Sequence, residues 1–265
     1  WGYRMGEQKV LDALHKDGFF CPVAQHLMGE LCEEIAAEYK ISRREQDEFA
    51  LASHQKAAAA AAAGLFKDEI VPVAVKDKKM GEIVCDTDEI FRADTSLEKL
   101  AKLPPIYKKD SGTITAGSSS ALCDNGAIVI VADREWAKER GLEPLAEILG
   151  YSAAALDAER FPLGPVVAMP KALSKAGLKL SDMDLIEINE AFAAQVIACH
   201  REMPFDMEKL NVHGGAIALG HPIGATGAKI ATTLINALGQ QGKELGIASA
   251  CIGGGQGVAM VVRRI

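Results

Sequence analysis

Apolar residues Leu27, Met28, Leu31, Cys32, Ile35, Ala36 and Tyr39 recur at intervals of three and four, which predicts one face of a helix starting near Ala24. Ser42-Arg43-Arg44-Glu45 then reads as a capping box, in which the serine hydroxyl and the glutamate carboxylate each satisfy a free amide of the first turn. The helix it opens runs through Phe49 and the alanine run Ala57–Ala63, and stops at Gly64. High helix propensity and close helix packing explain that run better than disorder does. Short strands are expected at Ile70–Val75 and Ile83–Cys85, the first at a sheet edge because Pro72 lacks an amide proton. Asp86–Pro105 is charged, with a helical turn or two around Leu97–Leu103. Residues 1–23 read as loop with short elements, and residues 1–119 together as a mixed, open region with a helix pair and little sheet.

The pattern changes after Gly117. Gly126–Val131 is a continuous apolar run, which predicts a buried strand, and Asp133 is placed to cap a helix reaching Gly141. A strand at Leu145–Ala153, a helix from Gly164-Pro165 to Gly177 and a strand at Leu185–Ile188 follow. Helices at Ala191–Glu202 and Gly224–Gly239 come next, then strands near Ile247–Ala250 and Val258–Val262. Strands alternating with helices predict layered α/β structure from about residue 120 onward.

Composition narrows the classes without choosing a function. The chain has 265 residues, 49% hydrophobic and 25% charged, enough for one large domain or two modest ones. A net charge of -7 argues against a protein built to grip nucleic acid. No apolar run reaches the length of a membrane span, so no membrane partner is expected. Six cysteines stand far apart without a CxxC pair, so neither a disulfide framework nor a metal site is expected. A reducing compartment fits them, with the cytoplasm expected and an organelle such as the mitochondrion still open. The chain opens at Trp1, and a processed, nicked or truncated piece is the expectation drawn from that.

Candidate chemistry gathers in two glycine-rich stretches. Asn211–Gly227 reads NVHGGAIALGHPIGATG, and Ala250–Gly257 reads ACIGGGQG. One offers His221 and the other Cys251, each in backbone that glycine lets approach a ligand closely. A lone turn histidine is usually satisfied by backbone, and a lone cysteine is usually a small buried hydrophobe. Glycines on both sides of His221, a helix start just after it, and the position of Cys251 at the end of an apolar strand favour catalysis instead. Asn189-Glu190 lies where a strand becomes a helix, a place from which an amide can polarise a carbonyl or fix a water. The glycines after Cys251 lack the lysine and threonine of a phosphate-binding loop. His15, His54 and His200 read as solvent-facing, and His26, at the start of an apolar face, is open.

These residues resemble the thiolase family of acyl-CoA acetyltransferases. Its signatures stand in order as Asn189-Glu190-Ala191-Phe192, Gly214–Gly227 with its Gly-His-Pro corner, and Cys251-Ile252-Gly253-Gly254-Gly255. Similarity extends through Met28-Gly29, Ser42–Lys67 and Thr113–Ser120, so it covers essentially the whole chain. The resemblance implies a layered αβα C-terminal domain over 144–265, preceded by a mixed α+β loop domain over 1–119. Residues 120–143 would be the last strand and helix of the N-terminal domain. It also implies reversible Claisen condensation or thiolysis of 3-ketoacyl-CoA through an acyl-cysteine, with coenzyme A and acyl-CoA as substrates and no permanently bound cofactor. His221 would activate a nucleophilic thiol and help form an oxyanion hole with a water held by Asn189. Cys251 would be the acid/base, and the Gly253 amide would serve a second oxyanion hole. Ser120 and Arg92 match coenzyme A contacts, and a homodimer or homotetramer is implied.

Two departures stand beside it. None of Cys21, Cys32, Cys85, Cys123 or Cys199 sits in the context of the family's nucleophile, so an absent N-terminal half, in the same or a separate chain, is expected to supply it. Leu27 precedes Met28-Gly29 where short-chain acetoacetyl-specific members carry histidine, which leaves acyl-chain length open. The rival reading is a non-catalytic acyl-CoA-binding or assembly subunit. Retention of His221, Cys251 and the glycines favours the enzyme. A dinucleotide-binding dehydrogenase would need a strand–GxGxxG–helix unit, which the chain lacks.

Overall fold

The computed structural model describes every residue except 1 and 3. A π-helical turn at Leu14–Phe19 leads into a two-strand ribbon, β1 (Phe20–Cys21) and β2 (His26–Leu27). Helix α1 (Met28–Glu38) follows, with Leu31, Cys32, Ile35 and Ala36 buried, as the three-and-four spacing requires. Helix α2 (Arg43–Ala62) opens at Ser42, whose hydroxyl accepts from the Glu45 amide at 3.2 Å while the Glu45 carboxylate accepts from the Ser42 amide at 2.8 Å. Of its alanines, Ala57 and Ala60 are buried in a cluster with Phe66, Ala218 and Leu219.

The antiparallel hairpin of β3 (Val73–Asp77) and β4 (Gly81–Cys85) stands largely exposed, and the short helix α3 (Leu97–Ala101) follows it. The expected buried strand at Gly126–Val131 does not form. No strand pairs with residues 120–133, and Ile128 and Ile130 are 92% and 88% exposed. Among the described residues no sheet lies beside this apolar run for its amides to join. Helix α4 (Arg134–Glu139) is capped as expected, with Asp133 Oδ1 accepting from the Glu135 and Trp136 amides.

From there the chain builds three layers. Strand β5 (Ala146–Ala155), helix α5 (Gly164–Ala176), strand β6 (Leu185–Ile188), helix α6 (Ala193–Glu202), the short helix α7 (Ala216–Leu219), helix α8 (Thr226–Gln240) and strands β7 (Leu245–Ile252) and β8 (Gln256–Arg264) follow in order. The sheet order is β5-β8-β7-β6, with β6 and β7 parallel and the other pairs antiparallel. Period-two alternation divides the sheet's side chains between its faces. Ile186, Ile188, Ile247, Ala259 and Val261 pack on Ala168, Met169 and Ala172 of α5. Leu185, Ala248 and Val262 pack on Leu234, Ala237 and Leu238 of α8. The layered α/β class and the mixed region preceding it are what the chain adopts.

Candidate active site

Strand β6 ends at Ile188, and the Asn189 amide extends the ladder by one bond to the Ser249 carbonyl at 2.9 Å. Asn189 therefore stands at the carboxyl ends of the parallel pair, where open α/β sheets place their ligands. A buried network fixes the turn that follows. The Glu190 carboxylate accepts from Ser53 of α2 at 2.7 Å, from Asn211 Nδ2 at 2.8 Å and from the Ile217 amide at 3.1 Å. The Asn211 side chain in turn accepts from the Ile188 amide and donates to its carbonyl, both at 2.9 Å. Gly215 is required here, because a methyl group on it would stand 2.2 Å from the Glu190 carboxyl carbon. Glu190 is thus the structural member of the Asn-Glu pair, and Asn189 the one left free to act.

His221 follows Gly220, whose φ of +83° starts the corner. Its amide donates to the Ala121 carbonyl at 2.9 Å. Thr226, at the start of α8, donates its one hydroxyl proton to the Pro222 carbonyl at 2.8 Å. The same oxygen lies 2.6 Å from His221 Nδ1; with the hydroxyl proton on the Pro222 carbonyl, Nδ1–H is the donor to it. The Nε2 lone pair is left facing Asn189 Nδ2 at 3.3 Å, which donates to it. Burial, with the Lys229 ammonium adding to it, lowers the His221 pKa to about 4. At neutral pH this is an uncharged imidazole, held at Nδ1 by Thr226 and turned to Asn189 at Nε2.

Cys251 stands near the end of β7 and packs against the cluster containing Cys21, Cys32, Leu163 and Phe192. Burial pushes its thiol up to about 12, so it carries its proton at neutral pH. Among the described residues no hydrogen bond joins it to His221; the two share the strand ends through Asn189 and Ser249. Gly253 opens the β7–β8 turn against Met28, whose methyl a side chain there would overlap at 2.1 Å. Gly254 and Gly255 hold φ of +83° and +82°, and a side chain at Gly255 would also strike the Leu156 carbonyl at 2.2 Å.

Ser120 and Arg92 are placed apart. The Ser120 amide donates to the Ala191 carbonyl at 3.0 Å, beside Ala121, whose carbonyl holds His221. Arg92 is exposed, with its amide donating to His54 Nδ1 at 3.1 Å. His54 is therefore buried on α2 and not solvent-facing, since its ring closes over the Arg92 backbone. His26 bonds Glu30 on the surface at the start of α1 and does not join the site.

Sequence reasoning missed the brace at residues 118–121. Ser118 and Ser120 bond the start of α6, and Ala121 bonds both Ala216 and His221, so one segment ties the Asn189 turn to the histidine corner. Backbone groups make all of these bonds, so no side-chain pattern announces them. Thr226 was legible in principle, as a hydroxyl four residues after Pro222 at a helix start.

Comparison with known proteins gives the family. Residues 1–135 match the thiolase N-terminal domain and residues 142–264 the thiolase C-terminal domain. The expectation that the N-terminal half is absent is not supported, because sequence of that domain is present over the first 135 residues. Acetyl-CoA acetyltransferase of Chromobacterium violaceum is 47% identical over 263 residues, covering 99% of this chain and 67% of that protein. The fold superposes on the acetyl-CoA acetyltransferase of Bacillus anthracis with a TM-score of 0.95 at 45% identity, covering 100% of this chain and 66% of that one. It superposes on human mitochondrial 3-ketoacyl-CoA thiolase, solved in complex with CoA, with a TM-score of 0.91 at 41% identity, covering 100% and 66%. The chain thus spans about two thirds of the length of these relatives. With both domain models matched in order and a neutral histidine, a buried amide and a protonated thiol gathered at one end of the sheet, the chain belongs to the thiolase family.

Proposed function

We propose that this protein transfers acyl groups between coenzyme A thioesters, by reversible thiolysis of 3-ketoacyl-CoA. The observation that carries the reading is the placement of His221: Nδ1 is held by Thr226 at 2.6 Å, and Nε2 faces Asn189 at 3.3 Å, from where it can take a proton in place of that contact. In thiolysis, an attacking thiol loses its proton to Nε2 and its sulfur bonds to the 3-carbonyl carbon. The C2–C3 bond breaks, its electron pair forms the acetyl-CoA enolate, and the Cys251 thiol protonates C2. Moving the imidazolium proton to the Cys251 thiolate resets both groups.

The newly formed Nε2–H and a water held by Asn189 Oδ1 stabilise the oxygen on which charge develops, where most of the rate is to be gained. The Gly253 amide serves the second such oxygen. Ser120 and Arg92 contact coenzyme A, which acts as substrate and not as a resident cofactor. The CoA complex of the human 3-ketoacyl-CoA thiolase supports that substrate class. On this reading 1–119 is the coenzyme A-contacting region and 144–265 the catalytic C-terminal domain, in a cytoplasmic homodimer or homotetramer.

Replacing His221 with alanine is expected to lower turnover of 3-ketoacyl-CoA with CoA by about 10²- to 10⁴-fold. CoA binding, followed by titration calorimetry, should persist. Turnover retained in His221→Ala would overturn the role. Wild-type protein that binds CoA without turnover would move the binding-subunit reading ahead.

A further inference from the structure

Strand periodicity puts Leu185, Glu187 and Asn189 on the face of β6 that meets α8. Leu185 behaves as a core residue there, packing against Leu234. Glu187 is only 4% exposed, yet among the described residues no protein group hydrogen-bonds its carboxyl and no cation pairs with it within 4.0 Å. A second orphan is Asn189 Oδ1, a buried acceptor without a partner among the described residues. Both residues line one cavity with Lys229, Thr226 and Gly220, and its volume of about 10 Å³ is that of a single water. Lys229 lies one turn after Thr226 on α8, so the two share a helix face. Its ammonium donates to the Leu219 and Gly220 carbonyls at 2.9 and 2.8 Å, the two residues just before His221.

We propose that Lys229 is a positioning residue for His221, bracketing it from behind together with Glu187. Two of its protons pin the turn that carries the imidazole. Its third is available to the shared cavity, where a water distinct from that of the oxyanion hole, accepting from Lys229 and donating to Glu187 and to the second lone pair of Asn189 Oδ1, would satisfy all three groups. Thr226 and Lys229 then hold one ring from two sides: the hydroxyl sets the tautomer, and the ammonium sets the corner and its field.

A purely structural contact at these positions would be met more cheaply by apolar residues, since a buried, unpaired carboxyl is costly. The groups facing Lys229 are Asp88 and Cys123 from the segments beside the corner, Glu187 and Glu190 from the end of β6, and His221 itself. Glu69 and Lys56 face Glu187 from beyond it. Of these, only Lys229 adds to the depression of the imidazole beyond burial. The inference rests on the catalytic reading of His221 for its purpose, but not for its test.

The test reads the imidazole by ¹⁵N NMR, with His221 assigned by its loss in His221→Gln. In the wild type His221 should show the Nδ1–H tautomer and stay uncharged above about pH 5. Lys229→Met should raise the His221 pKa and mix the tautomers, while Lys229→Arg, which keeps charge and donors, stays near wild type. Glu187→Gln should perturb the Asn189 side-chain amide signals. A folded Lys229→Met with both His221 properties unchanged overturns the proposal. Should Lys229→Met not fold, unchanged His221 and Asn189 signals in Glu187→Gln overturn it equally. Because the readout is spectroscopic, loss of the catalytic reading through an active His221→Ala would leave this result standing, and the reverse.

Discussion

A hydroxyl has one proton, and its placement sets the tautomer of His221. With the Thr226 proton on the Pro222 carbonyl, the imidazole donates through Nδ1 and presents a lone pair at Nε2. The cysteines divide on similar local grounds. Burial raises the thiols of Cys251, Cys32 and Cys199, whereas Cys85 is exposed. Only the thiolate is alkylated. For Cys251, with its folded pKa raised to about 12, the native protein holds the proton through the range in which a free thiol, near 9.0, loses it. Iodoacetamide at pH 8, followed by peptide mass spectrometry, should therefore modify Cys85 and spare Cys251. After denaturation the two should react alike. Native Cys251 alkylated as fast as Cys85 would mean a site far more open or more electropositive than the structure has it.

At the scale of elements, the chain's stop and start signals are strong enough to test singly. The Ser42 box closes both ways, and Glu45 is held below its usual range chiefly by the Ser42 amide. Gly177 ends α5 in the left-handed region at φ +68°, with nothing near it to clash, so its glycine is needed for conformation alone. Ser42→Ala and Gly177→Ala should each cost about 1 kcal/mol, lowering Tm by about 2–4 °C without changing the circular dichroism of the folded state. A larger loss for Ser42→Ala would mean that the cap also carries tertiary contacts.

These were the elements most legible in advance. Caps and periodic faces are written in neighbouring residues, and α1, α2, α5, α8 and the four-strand sheet followed from them. The site was legible only as motifs. His221, Cys251 and Asn189 could be named, but the Glu190–Ser53–Asn211 network joins residues more than a hundred positions apart, and the brace at 118–121 is made of backbone. No local pattern carries such information.

For the whole molecule, Gly126–Val131 sets apolar sequence against exposed structure. Its alternation-free apolar run has every property of a buried strand except a neighbour, because a strand is stabilised by partners that the local sequence does not contain. In this chain Ile128, Val129, Ile130 and Val131 are 92%, 47%, 88% and 73% exposed. A fully buried isoleucine contributes about 1.5–3 kcal/mol, whereas exposed positions change stability by about 0.5 kcal/mol or less. Ile130→Ser should accordingly leave Tm within about 2 °C of wild type, and should reduce binding of a hydrophobic dye, because it shortens a contiguous apolar patch. The effect on solubility should be greatest near pH 5.5, where the chain carries little net charge to keep copies apart. Thermal melts and dye titration at pH 7 separate the cases. An unchanged Tm with weaker dye binding fits the exposed run. A fall of more than about 5 °C would mean that in solution another surface covers Ile130, and that this run is a strand in that assembly after all.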